Sequence, residues 1–161
     1  TMLHSYWGKE RFYHHTAPVN MIYALYESLR IIHEEGLERR YERHVLHSRA
    51  FGAGVTAMGL RLFAQEGYRA PMLMAVAIPE GVDDAAVRRY LLSNYRLEIG
   101  GGLGRLKGRI WRVGLMGHSC SRENVVLLLA GLEGALAAQG MAVEPGAGIA
   151  AAREVYKASG M

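Results

Sequence analysis

The sequence predicts an α+β fold, in which helices cover one face of a small, mainly antiparallel sheet of three to four strands. Three observations predict it. The 161 residues are 50% hydrophobic, which suits one packed globular core. Apolar positions switch between a helical spacing of three to four residues and the alternation of a strand. The resulting order, helix, helix, strand, strand, helix, strand, strand, helix, suits two layers built around a single core.

The elements follow in order. Residues 1–16 hold no sustained period; Tyr6, Trp7, Phe12 and Tyr13 stand among Lys9, Glu10, Arg11, His14 and His15, so the stretch reads as an extended connector whose aromatic surface something outside the chain covers. From Pro18, Met21, Ile22, Leu25, Leu29 and Ile32 recur at helical spacing, with Thr16 and Pro18 suited to the first turn, and Gly36 interrupts. A second helix is expected from Leu37 to about Met58, with Leu37, Tyr41, Val45 and Ser48 on one face and Gly52, Gly54 and Gly59 weakening its end. Leu60 to Ala64 and Met72 to Ile78 read as strands. Asp83 is suited to cap a helix running to about Ser93. A short strand is expected at Leu97 to Ile99, a glycine loop at Gly100 to Gly104, and a further strand at Ile110 to Met116. Ser121 then caps a helix carrying Val125, Leu128, Leu129, Leu132 and Leu136 up to Gly140, and residues 141–161 read as a weakly helical tail.

Composition narrows the function classes. Lys and Arg outnumber Asp and Glu by 19 to 15, but acidic and basic residues are interspersed, so no nucleic-acid partner is expected. The longest apolar patterns are all broken by Arg, Glu or His, so no membrane association is expected. One cysteine, Cys120, excludes an intramolecular disulfide, and together with an opening that lacks a secretory pattern it points to a cytoplasmic setting.

Few constellations carry chemistry. Arg105, Lys107, Arg109 and Arg112 set four positive charges after the glycine loop, where a carboxylate or phosphate would be attracted. Alternation places Arg112 on the face of Ile110 and apart from Trp111 and Val113; an arginine within an apolar strand is costly unless it meets an anion, so Arg112 is the candidate anion ligand. The glycine loop is no dinucleotide fingerprint, because Lys107 stands where the third glycine belongs; its glycines are expected to let backbone pass close to another group. His44 and His47 read as a surface pair, and no metal site is expected. Cys120 and His118 are too close in sequence for their side chains to meet as nucleophile and base, and Asp83 and Asp84 are better explained by capping than by acid–base chemistry.

Three segments in order, Tyr13-His14-His15-Thr16-Ala17-Pro18-Val19, Leu97-Glu98-Ile99-Gly100-Gly101-Gly102-Leu103-Gly104 and Trp111-Arg112-Val113-Gly114-Leu115-Met116-Gly117, resemble the C-terminal part of class V pyridoxal-phosphate-dependent aminotransferases, the alanine–glyoxylate and serine–pyruvate group. Glu34 to Glu38 and Ser121 to Val125 add to the likeness, which covers roughly Trp7 to Gly140. The resemblance implies the small C-terminal domain of a fold-type I transferase. It assigns Arg112 to the substrate's α-carboxylate, and Tyr13 and Thr16 to the cofactor phosphate of a neighbouring subunit, hence a homodimer. It also implies pyridoxal 5'-phosphate, held covalently by a lysine in a large N-terminal domain that is not part of this chain, since none of Lys9, Lys107 and Lys157 lies in the matching motif. Residues 1–16 would then be the connector from that domain, 17–140 the small domain and 141–161 a tail. Two features depart from the family pattern: Arg105 stands where relatives often have proline, and the stretch beyond Gly140 lacks family-like motifs.

The expected activity of the parent protein is transfer of an amino group from alanine or serine to glyoxylate or pyruvate. The chain alone, with no catalytic residue of its own, is expected to be inactive. The alternative is a non-catalytic oligomerisation or binding module derived from the same domain, which an intact native mass of 17.8 kDa would favour.

Overall fold

The structure is a computed structural model and describes residues 4–5, 8–10, 13 and 15–160. Two compact units divide the chain, Thr1–Arg40 and Tyr41–Met161. Helix α1, Val19–Glu35, belongs to the first. Pro18 precedes it, where a missing N–H costs nothing, and Gly36 ends it at a φ of 83°, a left-handed value that suits glycine. No residue of α1 is buried: Met21, Tyr23, Leu25 and Tyr26 are all more than half exposed.

Helix α2, Leu37–Ala57, leads into a sheet made of β1 (Arg61–Leu62), β2 (Leu73–Ala77), β3 (Gly100–Gly101) and β4 (Ile110–Gly114). Its order is β1-β2-β4-β3 and every neighbouring pair is antiparallel. Helix α3, Asp84–Tyr95, lies between β2 and β3 in sequence, while α4, Arg122–Ala137, and α5, Ala147–Ala158, follow β4. The architecture is thus the expected α+β arrangement. Among the described residues no helix is long and apolar enough to cross a membrane.

The two faces of the sheet differ as its pleat requires. Met74, Val76, Trp111 and Val113 point into the core with Phe51 and Val55 of α2, Val87 and Leu91 of α3, and Leu129 and Leu132 of α4. Each such side chain, fully buried, stabilises by roughly 1.5–3 kcal/mol. The caps read from the sequence form: the Asp83 carboxylate accepts from the amides of Ala85 and Ala86, and the Ser121 hydroxyl from that of Asn124.

Several details depart from the sequence expectations. The third strand is Gly100–Gly101 and not Leu97 to Ile99, because the glycine pair is what sits in register with Arg112 and Trp111. Gly52 and Gly54 lie inside α2 and do not loosen it; a Cβ on Gly54 would stand 2.6 Å from a Leu129 methyl and 2.9 Å from the Gly148 carbonyl, so this glycine lets α4 and α5 approach. His47 is buried, not on the surface as expected. The final stretch forms α5, whose Ala152 and Tyr156 are fully enclosed.

Candidate functional site

Alternation in β4 sends Trp111 and Val113 inward and Ile110, Arg112 and Gly114 to the opposite face of the sheet. Around Arg112 that face is built from small residues: Ala75 is its partner on β2 and Gly100 its partner on β3. Arg112 is half-buried there, and its Nε donates to the Gly101 carbonyl oxygen at 2.8 Å. It makes no ion pair among the described residues. A guanidinium held through one of its donors to a carbonyl oxygen, with its positive charge uncompensated and partly out of water, is suited to an anion.

The rest of the basic cluster separates from it. Arg105, Lys107 and Arg109 are exposed around a 3₁₀ turn at Gly104–Leu106. The glycines of this loop do what the sequence suggested: a Cβ at Gly102 would lie 1.9 Å from the Leu106 carbonyl oxygen, so the loop closes over Ile110 only with glycine there.

Behind the sheet, the Trp111 indole N–H donates to Asp84 Oδ1 at 3.1 Å, and Arg88 Nε donates to the same oxygen at 2.8 Å. Asp84 and Arg88 abut Gly101, whose added Cβ would come 3.3 Å from Asp84 Oδ2. Strand β3 therefore carries no side chain on either face, with Arg112 against one and the Asp84–Arg88 ion pair against the other.

In the first unit, the Tyr13 and Thr16 hydroxyls are hydrogen-bonded to each other and both residues are exposed. His14, between them in the sequence motif, lies outside the described residues.

No model of a protein family matches the chain. It is 45% identical over 160 residues to (S)-ureidoglycine–glyoxylate transaminase of Bacillus subtilis, covering 99% of this chain and 38% of that protein. Alanine–glyoxylate aminotransferase of Callithrix jacchus is 40% identical over 130 residues, 80% of this chain and 31% of that one. The crystal structure of the Bacillus subtilis ureidoglycine–glyoxylate aminotransferase matches with a TM-score of 0.92 at 46% identity, over 97% of this chain and 40% of that chain. This chain is homologous to the class V aminotransferases. It corresponds to their C-terminal part, and spans under two fifths of the length of both curated relatives named here. Pyridoxamine–pyruvate aminotransferase of Mesorhizobium loti shares the fold with a TM-score of 0.89 at 33% identity, over 96% of this chain and 40% of that one.

Within this aminotransferase domain, a second set of polar residues secures the end of β4. Arg43 on α2 donates through Nη1 to the carbonyl oxygens of Gly117 at 3.0 Å and Cys120 at 2.6 Å, while His44 Nε2 accepts from the Gly117 amide at 3.3 Å. One turn further along α2, His47 Nδ1 is hydrogen-bonded to the Tyr156 hydroxyl of α5 at 3.0 Å. Burial is the main cause that lowers the His47 pKa, with the Arg43 charge adding to it. Burial likewise pushes the Tyr156 phenol up to about 12, and Arg122 stacks its guanidinium 5.1 Å from the ring centroid. The sequence marked His44 and His47 but not their partners, which lie 73 and 109 residues away.

Proposed function

We propose that the complete protein is a pyridoxal-phosphate-dependent aminotransferase that moves an amino group from a small amino acid such as alanine or serine to a small 2-oxo acid, glyoxylate or pyruvate. The observation that carries this reading is Arg112, a half-buried guanidinium without a counter-ion among the described residues, on an open sheet face floored by alanine and glycine. Relatives whose names share glyoxylate as a reactant support the acceptor class.

Arg112 takes the substrate carboxylate with paired hydrogen bonds, which removes rotational freedom and presents the bond at Cα in one orientation. Common recognition of the carboxylate serves both substrates, since donor amino acid and acceptor oxo acid share that group. Tyr13 and Thr16, two adjacent exposed hydroxyls, can each donate to a phosphate oxygen once they turn away from the hydrogen bond they share. They are assigned to the phosphate of pyridoxal 5'-phosphate, in a neighbouring subunit of a homodimer. When bound, that cofactor supplies the electron sink that labilises the bonds at Cα. The lysine that holds it belongs to an N-terminal large domain, for which residues 1–16 would be the connector, 17–140 the small domain and 141–161 the tail. The isolated chain is therefore assigned no turnover. A cytoplasmic setting accords with a sequence holding a single cysteine.

The test is steady-state kinetics of the full-length gene product with alanine and glyoxylate. Arg112→Gln should raise KM for both substrates by roughly ten- to hundredfold, as expected for losing a charge-assisted pair. Unchanged KM values for both would overturn the assignment.

A further inference from the structure

The way Arg112 is held limits how it can grip. A guanidinium offers a carboxylate two forks, one end-on through Nη1 and Nη2 and one side-on through Nε and a neighbouring Nη. In this domain Nε is already spent on the Gly101 carbonyl at 2.8 Å. That carbonyl cannot drift, because β3 is paired to β4 at Gly100 and Gly101 and backed by the Trp111–Asp84–Arg88 network. Gly100 completes the arrangement: a Cβ there would lie 3.1 Å from Arg112 Nη2 and 3.5 Å from both Cζ and Nε, so a methyl there shifts the guanidinium tip by a few tenths of an ångström. Its φ lies outside the left-handed region, and the need for glycine is therefore steric and not conformational.

We propose that Gly100 and Gly101 are positioning residues for Arg112, and that together they commit it to an end-on grip on the substrate carboxylate through Nη1 and Nη2. The inference rests on the carboxylate role given to Arg112 above. It explains a strand of two glycines in a sheet, a composition with low β-propensity, by a demand from the neighbouring strand.

The experiment uses the full-length protein loaded with pyridoxal phosphate, alanine as the probe and ethylamine as the same amine without its carboxylate. Rates of amino-group transfer from each give a preference for the carboxylated substrate. Arg112→Gln should lower that preference roughly ten- to hundredfold, and Gly100→Ala about three- to fivefold, since 1 Å of misplacement costs about 10²-fold and the shift is a few tenths of that, while the ethylamine rate is unchanged. Gly114→Ala, on the same face but meeting only the flexible Met116 methyl, should leave the preference intact. If Arg112→Gln has no effect, the carboxylate role itself falls. If Arg112→Gln acts and Gly100→Ala does not, the positioning inference falls alone. A crystal structure of the unaltered full-length protein with propionate supplies a readout independent of any variant's folding. The carboxylate is expected on Nη1 and Nη2 with Nε still on Gly101, and a carboxylate seated on Nε would overturn the inference.

Discussion

His47 Nδ1 and the Tyr156 hydroxyl meet 3.0 Å apart in the core, joining the middle of α2 to the last turn of α5 across 109 residues of sequence. Both groups are screened from water, so each depends on the other for its hydrogen bond. Tyr156→Phe should leave the imidazole nitrogen unsatisfied and destabilise the fold by about 1–3 kcal/mol, read from the midpoint of urea denaturation. A midpoint unchanged within error would mean that water replaces the phenol.

The same pair makes stability pH-dependent. The His47 pKa is lowered in the folded state, so the unfolded chain takes up a proton first as pH falls. The stability tied to neutral His47 is complete above the unfolded value near 6.5 and is lost as pH drops through the lowered folded value. Protonation does not break the bond to Tyr156, whose oxygen accepts from an imidazolium; the cost comes from the buried charge and from Arg43. Thermal melts between pH 7 and pH 5 should show a falling Tm, and His47→Gln should flatten that slope.

Gly54→Ala tests close packing of α2 against α4 and α5. The new methyl meets the Gly148 backbone carbonyl at 2.9 Å as well as the Leu129 methyls, and backbone cannot rotate aside. The intrinsic helix preference of alanine over glycine, about 1 kcal/mol, favours the change. Overpacking by about 1–3 kcal/mol opposes it, and net destabilisation is expected in chemical denaturation.

Asp83→Ala removes the cap of α3. Two amides, Ala85 and Ala86, lose their acceptor at 2.7 Å and 3.1 Å. A loss of about 1 kcal/mol is expected, with Asp83→Asn retaining most of the stability because its amide oxygen still accepts.

Thr16→Val in the full-length protein removes one hydroxyl assigned to the cofactor phosphate. Pyridoxal phosphate should dissociate roughly tenfold more readily, the equivalent of one modest hydrogen bond, as followed by equilibrium dialysis. Unaltered retention would remove Thr16 from that role.

What could be read in advance was local. The caps at Asp83 and Ser121, the break at Gly36 and the placing of Arg112 on the face of Ile110, apart from Trp111 and Val113, each follow from a few neighbouring residues, and each is present. What could not be read depends on distant partners. Gly54 looks like a helix weakener until Leu129 and Gly148 are seen beside it. Gly100 and Gly101 lack the branched side chains that signal a strand, and only the register opposite Arg112 and Trp111 explains them. His44 and His47 resemble a solvated pair because the Gly117 amide and Tyr156, which satisfy them, come from other elements. The Tyr13, Thr16 and Arg112 roles were suggested by motif resemblance, with alternation alone marking Arg112 independently.

The enclosure of Tyr156 and Ala152 bears on where the polypeptide tolerates shortening. Gly148 rests against Met58 and Gly54, and the Gly146 amide donates to Glu133 at 2.9 Å. A stop codon placed just after Gly140 would therefore open a hole beside His47 and Leu129 and yield an aggregation-prone product, although every residue of the arginine-bearing sheet would survive.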